Sequence, residues 1–174
     1  MRKLQILLTL IAIAGCTGLG SLNAAAATKS KVSLAAEKAT PLTTDELFRL
    51  YANRSWLWKD GAGYFPSKQR MFLAATGRGR KSSYGDGIWF LTSPGKLCFR
   101  ATWYAKSGSA PALTCFSHRT KNGVIYQKRE PHGEWYVFKN RPTRAGDEYR
   151  KLRRGDYVSS KLKRIKAKLL SAAG

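Results

Sequence analysis

Apolar and polar residues alternate along the middle of this chain. Leu97, Phe99, Ala101 and Trp103 interleave with Cys98, Arg100, Thr102 and Tyr104. A period of two sends each set to its own face, the pattern of a half-buried strand. Lys106–Ala110 is turn-rich, and Ala112–His118 reads as the return strand. A strand carrying Trp56 and Trp58 precedes the Gly-rich turn at 61–63. Two more follow Gln69, broken by Gly77-Arg-Gly79, Gly85-Asp-Gly87 and Pro94-Gly95. Lys121-Asn-Gly123 is a hairpin signal leading into Val124–Arg129, and Trp135–Phe138 forms a further strand. Roughly six to eight short strands at near-regular spacing predict a mainly β fold, a small antiparallel up-and-down (calycin-like) barrel or a sandwich.

The flanks follow a different period. Thr43-Thr-Asp-Glu46 is a capping box that opens a short helix with Leu47, Phe48 and Tyr51 on one side, suited to covering one end of the sheet. Near the C-terminus Val158, Leu162, Ile165 and Leu169 recur at spacings of four, three and four. Lys161, Lys163, Arg164, Lys166 and Lys168 occupy positions between them, which makes a basic amphipathic helix. Such a helix either packs on the barrel with a solvated charged face or attaches to anionic lipid or lipopolysaccharide.

The N-terminus changes the setting. Arg2 and Lys3 precede an apolar run from Leu4 to Ala14, too short for a stable span, so a cleaved export signal is expected. Two processing sites compete. Ile13-Ala14-Gly15-Cys16 resembles a bacterial lipobox, in which Cys16 becomes the lipidated first residue, and Ala24–Ala27 suits an ordinary signal peptidase. The expected organisation is a signal over 1–27 (or 1–15 with Cys16 lipidated), a linker over 28–42, a barrel over 43–140 and a basic tail over 141–174.

Charge narrows the partners. Against 32 Lys and Arg the chain has 10 Asp and Glu, a net charge of +22. Such an excess seeks polyanions, and export makes a nucleic acid a poor candidate. An acidic glycan, lipopolysaccharide or an anionic membrane surface remains.

With Cys16 lipidated or removed, Cys98 and Cys115 are left as a pair, and an even pair in an oxidising compartment reads as a disulfide. In a symmetric hairpin, residues whose numbers sum to 213 face one another, so Cys98 lies opposite Cys115 and Leu97 opposite Phe116. Closing this loop contributes about 3 kcal/mol in the chain-entropy account. His118 falls on the face opposite Cys115, which disfavours a Cys–His dyad. At the next turn, a three-residue loop with a bulge places Phe116, His118 and Tyr126 on one face, whereas a two-residue loop places Gln127 there. The former is the expectation.

Signals of catalysis are weak. Glu130, His132 and Glu134 cluster in a Pro/Gly turn with nothing to orient them. His118 is expected to be a half-buried, satisfied side chain. With two histidines in the chain a zinc site lacks ligands, and no phosphate-binding or dinucleotide motif occurs. No cofactor is expected. Trp56, Trp58, Trp89, Trp103 and Trp135 either fill the interior or line a ligand cavity.

The segments YANRSWLWKDGAGYF, GIWFLTSPGKLCFRATW and TCFSHRTKNGVIYQKREPHGEWYVF together resemble the alphaproteobacterial secreted family called domain of unknown function 995. The resemblance runs from about Leu47 to Phe138 and leaves out the basic tail. It implies an exported bacterial protein and brings no activity, ligand or catalytic residue with it. The expected function is therefore that of a non-enzymatic envelope binding protein whose polycationic surface includes Arg78, Arg80, Lys81, Arg119, Lys161, Lys163, Arg164, Lys166 and Lys168. The alternatives are a barrel carrier of a small apolar ligand and a hydrolase of envelope polymers.

Overall fold

The computed structural model describes residues 29–171. Cys16 and the segment expected to be an export signal lie outside the described residues. Ten antiparallel strands form one curled half-barrel sheet. In chain order they are β1 (Thr40–Pro41), β2 (Arg54–Trp58), β3 (Gly61–Phe65), β4 (Met71–Thr76), β5 (Ser83–Thr92), β6 (Lys96–Ala105), β7 (Gly108–Lys121), β8 (Val124–Arg129), β9 (Tyr136–Lys139) and β10 (Leu152–Arg154). From β2 to β9 each strand pairs with the next, as an up-and-down meander requires, and β10 returns to the free edge of β2. The sheet does not close between β9 and β10. Across that seam lies the 3-10 turn Glu148–Lys151, with Tyr149 packed edge-on against Phe138 and Glu148 accepting from Trp56 Nε1 at 2.8 Å.

The β6–β7 register is the one expected. Cys98 faces Cys115 at a Cα separation of 4.1 Å and the two form a disulfide, while Leu97 faces Phe116. Alternation then turns Phe99 and Phe116 inward and leaves the disulfide on the outer side. The next hairpin differs from expectation. Its loop has two residues, Asn122 and Gly123, both with positive φ (52° and 77°), and His118 faces Gln127, with Tyr126 opposite Arg119. Two positive-φ residues match the right-handed twist of the strands, and Asn-Gly tolerates that backbone at least cost. Burial of the Gln127 amide is unfavourable on local grounds, but side chains remote in the chain satisfy it.

The inner face of the sheet is filled with rings. Trp89, Phe65, Phe72, Phe138 and Leu97 are buried there, closed at one end by α2 (Thr44–Tyr51). The capping box is formed: Thr43 Oγ1 accepts from Glu46 N, and Glu46 Oε2 accepts from Thr43 N at 2.8 Å. Leu47 and Tyr51, on the expected side of α2, are fully buried.

Residues 28–42, expected as a linker, are ordered wherever the structure describes them. α1 (Lys31–Glu37) is capped by Ser30, β1 pairs with Arg119 and Thr120 of β7 beyond the reach of β6, and Ala36, Ala39 and Leu42 are buried. Small residues in a polar stretch carry little amphipathic signal, yet they fit where only thin side chains can sit. The tail assignment shifts likewise, because β10 belongs to the sheet and the barrel extends past 140 to Arg154. α3 (Ser159–Ser171) packs on the outer face over β4 and β5, where Val158 just ahead of it and its own Leu162, Ile165 and Leu169 cover Ala62, Leu73, Ala75 and Tyr84.

Candidate anion-binding groove

Where α3 crosses β4 and β5, its edge faces the loop that joins those strands. The loop turns tightly at Gly77 (φ 75°), where a Cβ would collide with the Lys81 carbonyl, so glycine is required. The turn swings Arg78 and Arg80 out of the sheet toward the helix. On α3, Lys161, Arg164 and Lys168 recur at spacings of three and four and so share one flank. The hairpin between β6 and β7 adds Lys106. Register explains its position: Ser83 pairs with Ala105, so the following residue lies beside Ser82.

Together these side chains line a groove of two lobes, about 320 and 420 Å³, that share Gly79, Ser82, Ile165 and Lys168. One lobe adds Arg80, Lys106 and Leu169, the other Gly77, Arg78, Lys161 and Arg164. Its walls are therefore six cations, and its floor is the aliphatic edge of the helix. Among the described residues no carboxylate is in the lining. Asp60 stands at one end, 4.0 Å from Arg78 Nε with both side chains largely exposed, a pair worth little in water. Asp60 also accepts from Lys161 Nζ through its backbone carbonyl at 2.8 Å, which places that ammonium at the groove's end. Asp156 holds the start of α3, its Oδ1 accepting from Val158 N and Ser159 N at 2.8 and 2.9 Å. Partial burial alone would raise the Asp156 carboxyl, but the Ser159 and Val158 hydrogen bonds, aided by Lys163, hold it below the usual carboxylate range.

The cations expected to act together separate into groups. Arg78, Arg80, Lys161, Arg164 and Lys168 meet in the groove. Lys81 is exposed in the loop, and Lys163 and Lys166 are exposed on α3, all outside the groove lining. Arg119 is elsewhere and already engaged: its guanidinium donates to the carbonyls of Ala36 and Glu37 and stands over Trp135, 5.5 Å from the ring centroid. Lys106 was not among the cations expected from sequence, although the β5–β6 hairpin register alone places it beside Ser82.

The residues with catalytic potential are not assembled for catalysis. His118 is 1% exposed; its Nε2 lies 2.8 Å from Tyr51 Oη and 2.6 Å from Gln127 Nε2. Gln127 Nε2 also donates to Tyr51 Oη at 2.8 Å, and Tyr136 Oη donates to Gln127 Oε1. This is a closed polar knot inside an aromatic core. Burial pushes the His118 imidazolium down to about 3, opposed by the backbone at Gly95 and Phe116. Its Nδ1 has no hydrogen-bond partner, so the ring is more buried and less satisfied than expected. Burial likewise raises the Tyr51 and Tyr136 phenols, so all three groups stay neutral at ordinary pH.

Glu130 accepts from Ser117 Oγ at 2.5 Å and pairs with Lys128 at 3.5 Å, whereas His132 and Glu134 are exposed in the turn. Of the tryptophans, Trp56, Trp89 and Trp103 pack into the inner core. Trp58 lies at the rim, donating to Thr76, and Trp135 borders a surface cleft between α1 and the β8–β9 loop. Among the described residues, no group of three His, Cys, Asp or Glu side chains gathers into a metal-ligand set.

A family model described as "Protein of unknown function (DUF995)" matches residues 19–158. The chain belongs to that family. No curated protein and no solved structure matches it. The matched span ends at Val158, one residue before α3 begins, so the family portion supplies the loop and hairpin walls of the groove. The helical wall lies outside the match.

Proposed function

We propose that this is an envelope-associated, non-enzymatic binding protein that engages polyanions through the groove between α3 and the β4–β5 loop. The observation that carries this reading is the convergence of Arg78, Arg80, Lys106, Lys161, Arg164 and Lys168 on one concave surface whose described lining has no carboxylate. Cations from three separate parts of the chain repel one another when gathered, so their juxtaposition favours an anionic occupant. A disulfide is compatible with export to an oxidising compartment.

The carrier alternative has less support, because the rings available to line a cavity fill the inner core instead. A hydrolase has less support again, since the buried histidine lacks access to solvent and the carboxylates near His132 are dispersed. Binding of the mature protein to immobilised polyphosphate, measured from about 50 mM to about 500 mM salt, tests the assignment. Affinity should fall steeply with salt and should drop in an Arg78→Ser, Arg164→Ser, Lys168→Ser variant. A salt-independent affinity, or a triple variant that binds as well as the parent, would remove the groove from consideration.

A further inference from the structure

We infer that the occupant is the phosphate headgroup of a lipid in a membrane surface, against which α3 lies flat; this rests on the polyanion reading above. Two observations select a lipid surface from the polyanions that a basic groove could take. The first is the composition of the lining. Besides the cations it contains glycines, Ser82 and the aliphatic Ile165 and Leu169, with no aromatic, amide or carboxylate side chain among the described residues. A sugar polymer is held by rings that stack on its faces and by amides and carboxylates that bond its hydroxyls, and the groove offers none of these. A phosphate with the first carbons of a lipid behind it matches cations over an aliphatic floor.

The second observation is the distribution of charge around α3. At 3.6 residues per turn, the apolar stripe of Val158, Leu162, Ile165 and Leu169 faces the sheet, and Lys161, Arg164 and Lys168 take the flank that walls the groove. Lys163, Lys166 and Leu170 take the opposite flank, and Leu170 is 68% exposed. Ser160, Ala167 and Ser171 form the outward ridge between the two flanks, all small and exposed. The helix carries no acid. A single polymer strand lying in the groove would leave the second basic flank and the exposed leucine without a partner.

A plane of anionic headgroups contacts both flanks at once. The small ridge lets the helix approach closely, and Leu170 enters the boundary between headgroups and chains. Among the described residues no helix is long and apolar enough to cross a membrane. Attraction to an anionic surface accumulates with each cation brought near it, so α3 and its loop together suffice for reversible attachment.

The test uses the mature full chain and three probes: phosphatidylcholine vesicles doped with phosphatidic acid, soluble polyphosphate, and polygalacturonate. The parent protein should co-sediment with the doped vesicles and not with pure phosphatidylcholine. Leu170→Glu, and separately Lys163→Ser with Lys166→Ser, should weaken vesicle binding roughly tenfold while leaving polyphosphate binding within about twofold. Both sets lie on exposed helix positions, and an unchanged circular dichroism spectrum and urea midpoint would confirm that folding is intact. Arg78→Ser with Arg164→Ser should weaken both probes.

If the opposite-flank variants bind vesicles as the parent does, or if polygalacturonate binds as tightly as doped vesicles, the lipid assignment is overturned and the polyanion groove stands. Should the Arg78/Arg164 variant bind every probe unchanged, the groove itself falls.

Discussion

The two faces of one curled sheet in this protein serve opposite ends. Inside, rings pack around Tyr51, His118 and Tyr136, titratable groups joined through the Gln127 amide, and burial holds all three neutral. Outside, a much smaller apolar layer under α3 supports arginines and lysines that stay in water and converge. Chemical versatility of a residue type is therefore a poor guide to where this protein meets its surroundings. The histidine fastens the core, whereas side chains with no reactivity of their own form the accessible concave surface.

That contrast can be broken or sharpened by measurement. The largest effect belongs to the inner face. Trp89→Ala should cost about 3–5 kcal/mol of stability, read from the urea midpoint, because it empties a fully buried site and strands the Pro66 carbonyl that now accepts from its Nε1. A loss under about 1 kcal/mol would mean that the interior is loosely filled, and the carrier reading would regain ground.

Next comes the staple, Cys98→Ser with Cys115→Ser, which should lose about 3 kcal/mol with polyphosphate binding unchanged once folded. Free thiols in the purified parent would contradict it.

The buried knot predicts a pH dependence. The folded imidazole resists protonation until about pH 3, whereas the unfolded chain takes a proton below about 6.5. His118 therefore contributes its full stability above that value and loses it as pH falls, at up to about 1.4 kcal/mol per unit. Asp147 and Asp156, both held below the carboxylate range, titrate further down, so the interval from about pH 6.5 to 5 reports on His118. A His118→Gln variant that folds should show a flatter profile there, and an identical slope in both proteins would argue against a neutral buried imidazole.

The smallest effect lies on the outer face. Asp156→Ala removes the cap of α3 and should cost about 1 kcal/mol while loosening the helical wall, so polyphosphate affinity should fall with it. Unchanged affinity would show that the loop cations act without the helix.

Much of the scaffold is legible in the amino-acid sequence. Period-two alternation, the 213 register linking Cys98 to Cys115, the Thr43–Glu46 box and the 158/162/165/169 stripe all depend on neighbours within about 20 residues, where local geometry dictates the outcome. The Asn122–Gly123 loop departs from expectation because its length turns on whether Gln127 can be buried. Its partners are Tyr51, more than seventy residues away, and Tyr136 on another strand. The docking of Ala36, Ala39 and Leu42 is hidden for a related reason, since small side chains carry little periodic signal and their burial depends on the surface they meet.

From the sequence alone follow the mainly β class, the meander, the staple, the capped helix and a cationic tail with one apolar side. Each is a matter of short-range pattern. Only the tertiary structure decided that the sheet stays open at β9 and β10, that His118 is sealed among Tyr51, Gln127 and Tyr136, and that Arg78 and Arg80 face Lys161, Arg164 and Lys168. Those outcomes depend on where α2, the 3-10 turn and α3 come to rest. Burial of apolar area drives such docking without direction, so the particular contacts it creates become legible only when the packed surfaces are seen together.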